Sequence, residues 1–151
     1  MLVHYKHLNE AAIRPDKAHP TDAGLDLYAS EPVKIEGFGV VPTGLSIRIP
    51  QDHMGLVCSR SGLAASGVFV LNAPGIIDYG YHGEVKVVIG TLSKFPVWIN
   101  VGDKIAQLLI MPVEKVNLLR GDSMIWESSL RKENGFGSSG DRHGNHRGWL
   151  G

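Results

Sequence analysis

The sequence predicts an all-β sandwich or barrel with one short helix. Three observations carry this. Apolar and polar residues alternate over short runs, the period of a half-buried strand. Gly, Pro, Asn and Asp break up the runs at the short spacing of sandwiches and barrels. No stretch of about a dozen residues keeps a helical apolar period. The 19 glycines among 151 residues agree, because so turn-rich a composition favours short strands. The length suits one domain with a sizeable core.

Taken in order, residues 3–8 form a first candidate strand, followed by a loop at His19–Asp22 containing Pro20. In DAGLDLYAS, Leu25 and Leu27 alternate with Asp26 and Tyr28, a strand with an acid on one face. Residues 33–35 and 39–41 are short strands around Gly37. In residues 45–49, Leu45, Ile47 and Ile49 face one way, Ser46 and Arg48 the other. Residues 54–58 make a strand that runs into SRSGLAASG, where residues 61–66 are the helix and Gly67 its stop. Residues 68–71 read as a buried strand leading into NAPGIIDYGYHG. There a short apolar run, Ile76 and Ile77, ends at Asp78 among glycines, which predicts a bent hairpin. Residues 84–89 alternate again, and 95–99, 104–111 and 113–116 complete the strands. From about residue 128 the chain is rich in glycine and charge without apolar periodicity. The reading is therefore a β-domain over 1–127 and a flexible C-terminal arm over 128–151.

Composition narrows the function. Fifteen basic residues balance fifteen acidic ones, so no basic stripe argues for nucleic acid and no patch for a membrane surface. The single cysteine, Cys58, allows no internal disulfide, which fits a reducing compartment and a cytoplasmic location. The N-terminal residues carry no long apolar run of the kind found in a signal peptide or membrane anchor.

Several residues could carry chemistry, and each also has an ordinary structural use. Asp78 closes an apolar strand, where partial desolvation would raise its basicity and suit it to act as a general base on water. It could equally form an Asx turn. Arg60, Ser61 and Gly62 open the helix, where free N–H groups and a guanidinium fork suit phosphate. Ser61 could instead be a simple N-cap. Gln107 sits inside the apolar run KIAQLLIM and could bond a phosphate or merely the neighbouring backbone. Asp26 could be a solvated strand residue. GFGSSG in the arm could cradle phosphates through its backbone or stay a free tail.

Together these segments resemble the five ordered motifs of the trimeric deoxyuridine triphosphatase (dUTPase) family. DAGLDLYA, CSRSGLA, NAPGIIDYGYHGEV, VGDKIAQLL and RKENGFGSSG follow one another in family order from residue 22 to residue 140. The resemblance implies a jelly-roll-like β-sandwich or distorted barrel, assembled as a homotrimer with shared active sites. It implies Mg²⁺-assisted hydrolysis of dUTP to dUMP and pyrophosphate, which keeps uracil out of DNA and supplies dUMP for thymidylate synthesis. It casts Asp78 as the base that activates water against the α-phosphorus. Asn72 and the backbone of Gly75 and Ile77 would read the uracil edge, and Tyr81 would exclude a 2′-hydroxyl. Arg60, Ser61, Gly62 and Gln107 would hold phosphates, Gln107 near the reacting one. Asp26 would hold water on Mg²⁺. In the arm, Arg131 would meet the γ-phosphate, Phe136 would stack on uracil, and Gly137, Ser138 and Ser139 would wrap the phosphates.

The chain departs from the family pattern at Asn134, where glycine is common, and at Tyr79–Gly80 between the acid and the sugar-contacting tyrosine. His143 and His146 lie in a tail beyond the fifth motif and read as solvated. Two rival readings remain at this point. One is a dUTP-responsive regulator acting through a protein partner. The other is a dCTP deaminase of the same fold, in which Glu84 would be the residue to examine.

Overall fold

The computed structural model describes residues 1–121. The assigned arm residues Arg131, Phe136, Gly137, Ser138 and Ser139, along with Asn134, His143, His146 and the 127/128 boundary, lie outside the described residues. Met1–Lys115 forms one compact unit. Its strands are β1 (His4–His7), β2 (Leu25–Tyr28), β3 (Val33–Ile35), β4 (Phe38–Pro42), β5 (Leu45–Arg48), β6 (His53–Cys58), β7 (Val68–Val70), β8 (Gly75–Ile77), β9 (Lys86–Thr91), β10 (Val97–Ile99) and β11 (Lys104–Pro112), with one helix, α1 (Ser61–Ala65), between β6 and β7.

The strands make a sandwich. One sheet has the order β2-β11-β6-β8 and the other β4-β9-β7, with two-stranded ribbons β1-β5 and β3-β10. Every pairing is antiparallel. Among the described residues no sheet closes on itself, so the sandwich, not the barrel, describes the chain. Alternation predicts the core well. Leu27, Ile35, Val41, Leu45 and Ile89 are wholly buried between the layers, each contributing roughly 1.5–3 kcal/mol. Val85 and Val87 join them as the pattern of residues 84–89 predicts.

Four expectations need correction. The NAPGIIDYGYHG segment is not a hairpin: β8 pairs with β6, whereas the next strand, β9, belongs to the opposite sheet. The glycines there turn the chain out of one layer and into the other, with Gly80 at φ 97°. Residues 113–116 form no strand; pairing with β6 ends at Pro112, and proline lacks the N–H that would continue a ladder. Residues 95–96 likewise lie outside β10. Ser46, expected on a polar face, is buried and donates from its hydroxyl to the His82 carbonyl at 2.9 Å.

The turn between β4 and β5 anchors the segment that follows β8. Thr43 is fully buried and its Oγ1 donates to the Val85 carbonyl at 2.6 Å. Gly44 adopts φ 66°, and a Cβ there would stand 2.9 Å from that of Ala12. Its N–H donates to Glu84 Oε1 at 2.9 Å. The loop 78–85 is thereby tied at its far end to the core.

Candidate functional site

Three strands bring the predicted phosphate and metal residues to one level. Gln107 of β11 stands opposite Asp26 on β2 and opposite Cys58 on β6. The chain then passes from Cys58 through Ser59 and Arg60 into α1. Asp26, Arg60, Ser61, Gly62 and Gln107 consequently line a single cleft of about 320 Å³, together with Asp22 and Gly24.

Asp26 is no solvated strand residue. It is 8% exposed and takes a hydrogen-bonded ion pair from each side: Arg60 Nε at 2.9 Å on Oδ1 and Lys104 Nζ at 2.8 Å on Oδ2. Arg60 Nη1 also donates to the Lys104 carbonyl at 3.2 Å, which fixes the guanidinium plane at the cleft. The hydrogen bond to Asp26, and then its charge, raise the Lys104 ammonium above the ordinary lysine value. The sign follows from linkage. The Lys104 contribution is fully present below the unfolded lysine value and is lost as pH climbs through the raised one, in the strongly alkaline range.

Gln107 donates from Nε2 to the Ser59 carbonyl at 2.9 Å, so part of its amide serves the backbone while the residue still lines the cleft. Ser59 in turn accepts the Val70 N–H on its hydroxyl at 2.9 Å. Ser61 is not the N-cap. Arg60 occupies that position with no side-chain cap bond, and the N–H groups of the first turn are left without a capping side chain.

Sequence reasoning missed Lys104, Ser59 and Gly24. A β-bulge between Lys104 and Ala106 sets the register of Lys104 against β2, and no local pattern announces a bulge. Gly24 was legible as a glycine at a strand entrance, a common mark of close approach. A Cβ at Gly24 would fall 2.5 Å from Gln107 Oε1 and 3.1 Å from Gln107 Cβ. Gly24→Ala should therefore push Gln107 off Ser59 and lower kcat/KM about tenfold through misplacement, with thermal stability nearly unchanged. Steady-state kinetics beside a melting curve check this; an unchanged kcat/KM would remove Gln107's position from the chemistry.

The residues of the third motif lie elsewhere on the chain. Asn72 is exposed in the turn before β8, next to the cis Ala73–Pro74 bond. A Cβ at Gly75 would approach Asn72 Nδ2 to 3.1 Å, so the bare glycine backbone makes room for that amide. Ile77 packs inward and Asp78 follows it. Asp78 is exposed, which corrects the expectation that its own strand desolvates it. Tyr81 donates from its hydroxyl to the Glu84 carbonyl at 2.9 Å. Its ring rests against Gly83, where a Cβ would stand 2.5 Å from the phenol oxygen. Ile77, Tyr81 and Glu84 line a second cleft of about 210 Å³.

The ladders measure the gap between the two clefts. Asp78 follows Ile77, which pairs with Gly55, so it falls level with Met54 and Met111. Gln107 and Asp26 are level with Cys58, four residues further along. Four residues span about 14 Å, and the two strand steps from β8 to β11 about 10 Å, so Asp78 and Gln107 of one chain stand roughly 17 Å apart. Asp78 and Gln107 of one chain therefore stand at separate clefts.

Among the described residues no group of three His, Cys, Asp or Glu side chains could cage a metal. The donor set of the first cleft fits Mg²⁺ carried in on phosphate oxygens. Such an ion keeps most of its waters and needs only one or two carboxylates nearby, and Asp26 and Asp22 line the cleft that holds Arg60. No helix among the described residues is long and apolar enough to cross a membrane.

Comparison with known proteins adds to this geometry. The sequence model of the dUTPase family matches residues 10–140. The chain is 45% identical over 131 residues to a deoxyuridine 5′-triphosphate nucleotidohydrolase of Gloeobacter violaceus, covering 83% of this chain and 88% of that protein. It is 44% identical over 138 residues to one from Clostridium kluyveri, covering 89% and 95%. Among solved structures it is similar to a variant dUTPase of Staphylococcus bacteriophage 80alpha with dUpNHpp, at TM-score 0.80 and 30% identity over 93% of this chain and 99% of that one. It is also similar to a mutant dUTPase of phage phi11 of S. aureus, at TM-score 0.76 and 28% identity over 82% and 98%, whose structure details the coordination of a structural Mg(II) ion.

Proposed function

The chain belongs to the dUTPase family, and from that premise we propose that it hydrolyses dUTP to dUMP and pyrophosphate in a site shared between copies of the chain. The observation that carries the shared site is the separation of its halves. Phosphate-binding residues gather in the Asp26–Arg60–Gln107 cleft, and the base-and-sugar residues gather beside β8, too far apart to act on one phosphorus. A homotrimer with heterologous contacts brings the β8 edge of one copy to the cleft of the next, because head-to-tail interfaces close into rings.

The chemistry follows from that juxtaposition. Water attacks the α-phosphorus, a P–O bond forms, and the bond to the bridging oxygen of pyrophosphate breaks. Asp78 orients the water and takes its proton. Arg60 and the amides of Ser61 and Gly62 hold the charged oxygens, and Gln107 fixes the α-phosphate in line. When bound, Mg²⁺ would neutralise charge on the triphosphate, and Asp26 would be the residue that holds it at the cleft. Asp26 is held for this by Arg60 and Lys104. Arg131, Phe136, Gly137, Ser138 and Ser139 close the site from the arm and exclude water. The exposed Asp78 thus gains its dry surroundings only from the assembled site. The cytoplasm, where dUMP is consumed, is the expected location.

Uracil selection rests on Asn72 and the backbone of Gly75 and Ile77. A cytosine there would leave buried polar groups unpaired. Sugar selection rests on Tyr81, held by Gly83 and Glu84. Tyr81→Ala should narrow the preference for dUTP over UTP by about tenfold, read as the ratio of the two kcat/KM values; an unchanged ratio would remove Tyr81 from sugar selection.

Product analysis tests the whole reading. Pyrophosphate and ammonia are followed together with Mg²⁺ and, separately, dUTP, UTP, dTTP and dCTP. Pyrophosphate from dUTP alone is expected. Ammonia from dCTP would transfer the protein to the deaminases, and binding of dUTP without turnover would make it a regulator.

A further inference from the structure

A third cleft lies on the ribbon β1-β5, lined by none of the residues of the proposed site. Its volume is about 290 Å³, and its lining is His4, Tyr5 and Lys6 from β1, Ser46 and Arg48 from β5, and His82 from the loop after β8. Four of these six carry or can carry positive charge, and no carboxylate lines the cleft. The chain as a whole is neutral, so the cluster is local.

The register explains how it arises. His4 stands directly opposite Arg48 and Lys6 directly opposite Ser46. Residues two apart on a strand share a face, so His4, Lys6, Ser46 and Arg48 present together. Like charges at directly opposed or diagonal positions weaken a ladder. Among the described residues neither Lys6 nor Arg48 has an acidic partner within ion-pair distance. An anion bridging the strands would turn each repulsion into attraction. The position of His82 is set by the bond from Ser46 Oγ to its carbonyl at 2.9 Å. That bond places the His82 backbone at the cleft, and its side chain is exposed there.

We propose that His4, Lys6, Arg48 and His82 form a binding site for a multiply charged phosphate such as pyrophosphate, separate from the Arg60 cleft. Arg48 supplies the planar fork and Lys6 a mobile point charge. The two imidazoles add donors when protonated.

The test is calorimetric titration of the full chain with inorganic pyrophosphate, without Mg²⁺. Wild type should bind at two kinds of site. Arg60→Gln should abolish one and leave the other. Arg48→Gln should weaken that other site at least tenfold and leave dUTP turnover unchanged. Lys6→Gln, on the neighbouring strand, should act in the same direction, and melting curves confirm that both variants fold. A single kind of site, lost with Arg60→Gln and indifferent to Arg48→Gln and Lys6→Gln, would overturn the proposal. So would dissociation of the assembly by Arg48→Gln without any change in pyrophosphate binding, which would make the cleft a contact between copies. Because the readout is pyrophosphate binding, failure here leaves the dUTP reading untouched, and failure of that reading leaves this test intact.

Discussion

Asp78→Asn should lower kcat by about 10²–10⁴, the usual contribution of a positioned general base. Asparagine keeps the size of the side chain and one acceptor oxygen, so a water can still be held there. It cannot take the proton at neutral pH. Binding of a non-hydrolysable dUTP analogue should change by less than a few-fold, because Asp78 acts on the water and not on the nucleotide. Stability should stay within about 0.5 kcal/mol, as expected for an exposed side chain that makes no side-chain hydrogen bond among the described residues. Single-turnover kinetics and analogue titration separate the two effects. Near-normal turnover would remove Asp78 as the base, and loss of binding equal to the loss of rate would make it a binding residue instead.

Arg60→Gln should lower kcat/KM by about 10²–10³, the range seen when one preorganised donor to a developing charge is removed. Two losses combine. The guanidinium no longer meets the phosphates, and Asp26 loses the partner on Oδ1 while Lys104 remains on Oδ2. A carboxylate with one cation fewer moves more freely and is a poorer anchor for metal-bound water. The stability cost should be modest, roughly 0.5–1.5 kcal/mol, because Arg60 is a third exposed and Lys104 keeps the charge paired. Arg60→Lys should restore only part of the rate, since an ammonium cannot span Asp26 and a phosphate with one planar fork. Kinetics of both variants beside their melting curves check this. Full activity in Arg60→Lys would reduce the residue's role to bare charge.

Much of the sandwich was legible because its strands are half-buried and alternate. Val85 just before β9, Val87 and Ile89 on β9, and Leu45 and Ile47 on β5 point inward as the period dictates. Asp26 was legible as a strand residue but not as a buried one. Its burial depends on Lys104, placed by a bulge, and on Arg60, 34 residues away in the chain. Neither partner leaves a trace in the local pattern. The segment after β7 was misread as a hairpin for a related reason. A glycine-rich turn beside an apolar run shows that the chain bends, not which sheet it joins next. Asp26, Arg60, Ser61, Gly62 and Gln107 of one cleft and Ile77 and Tyr81 of the other were nameable from the motifs. That the clefts stand four residues apart along the ladders and two strands apart across the sheet came only from the pairings, and this separation turns a set of motifs into an argument for assembly.

The sharing of sites between copies is tested most directly by mixing two inactive variants. Asp78→Asn chains retain an intact Arg60 cleft, and Arg60→Gln chains retain an intact Asp78. Each variant is purified, and the two are unfolded together, refolded at equal amounts and compared with each refolded alone. In a ring where Asp78 of one copy meets Arg60 of the next, random assortment should return about a quarter of wild-type activity. Recovery near that value, with mixed assemblies verified by mass, is the expected result. Mixed assemblies with no activity beyond the parents would contradict the shared site and require each chain to complete its own.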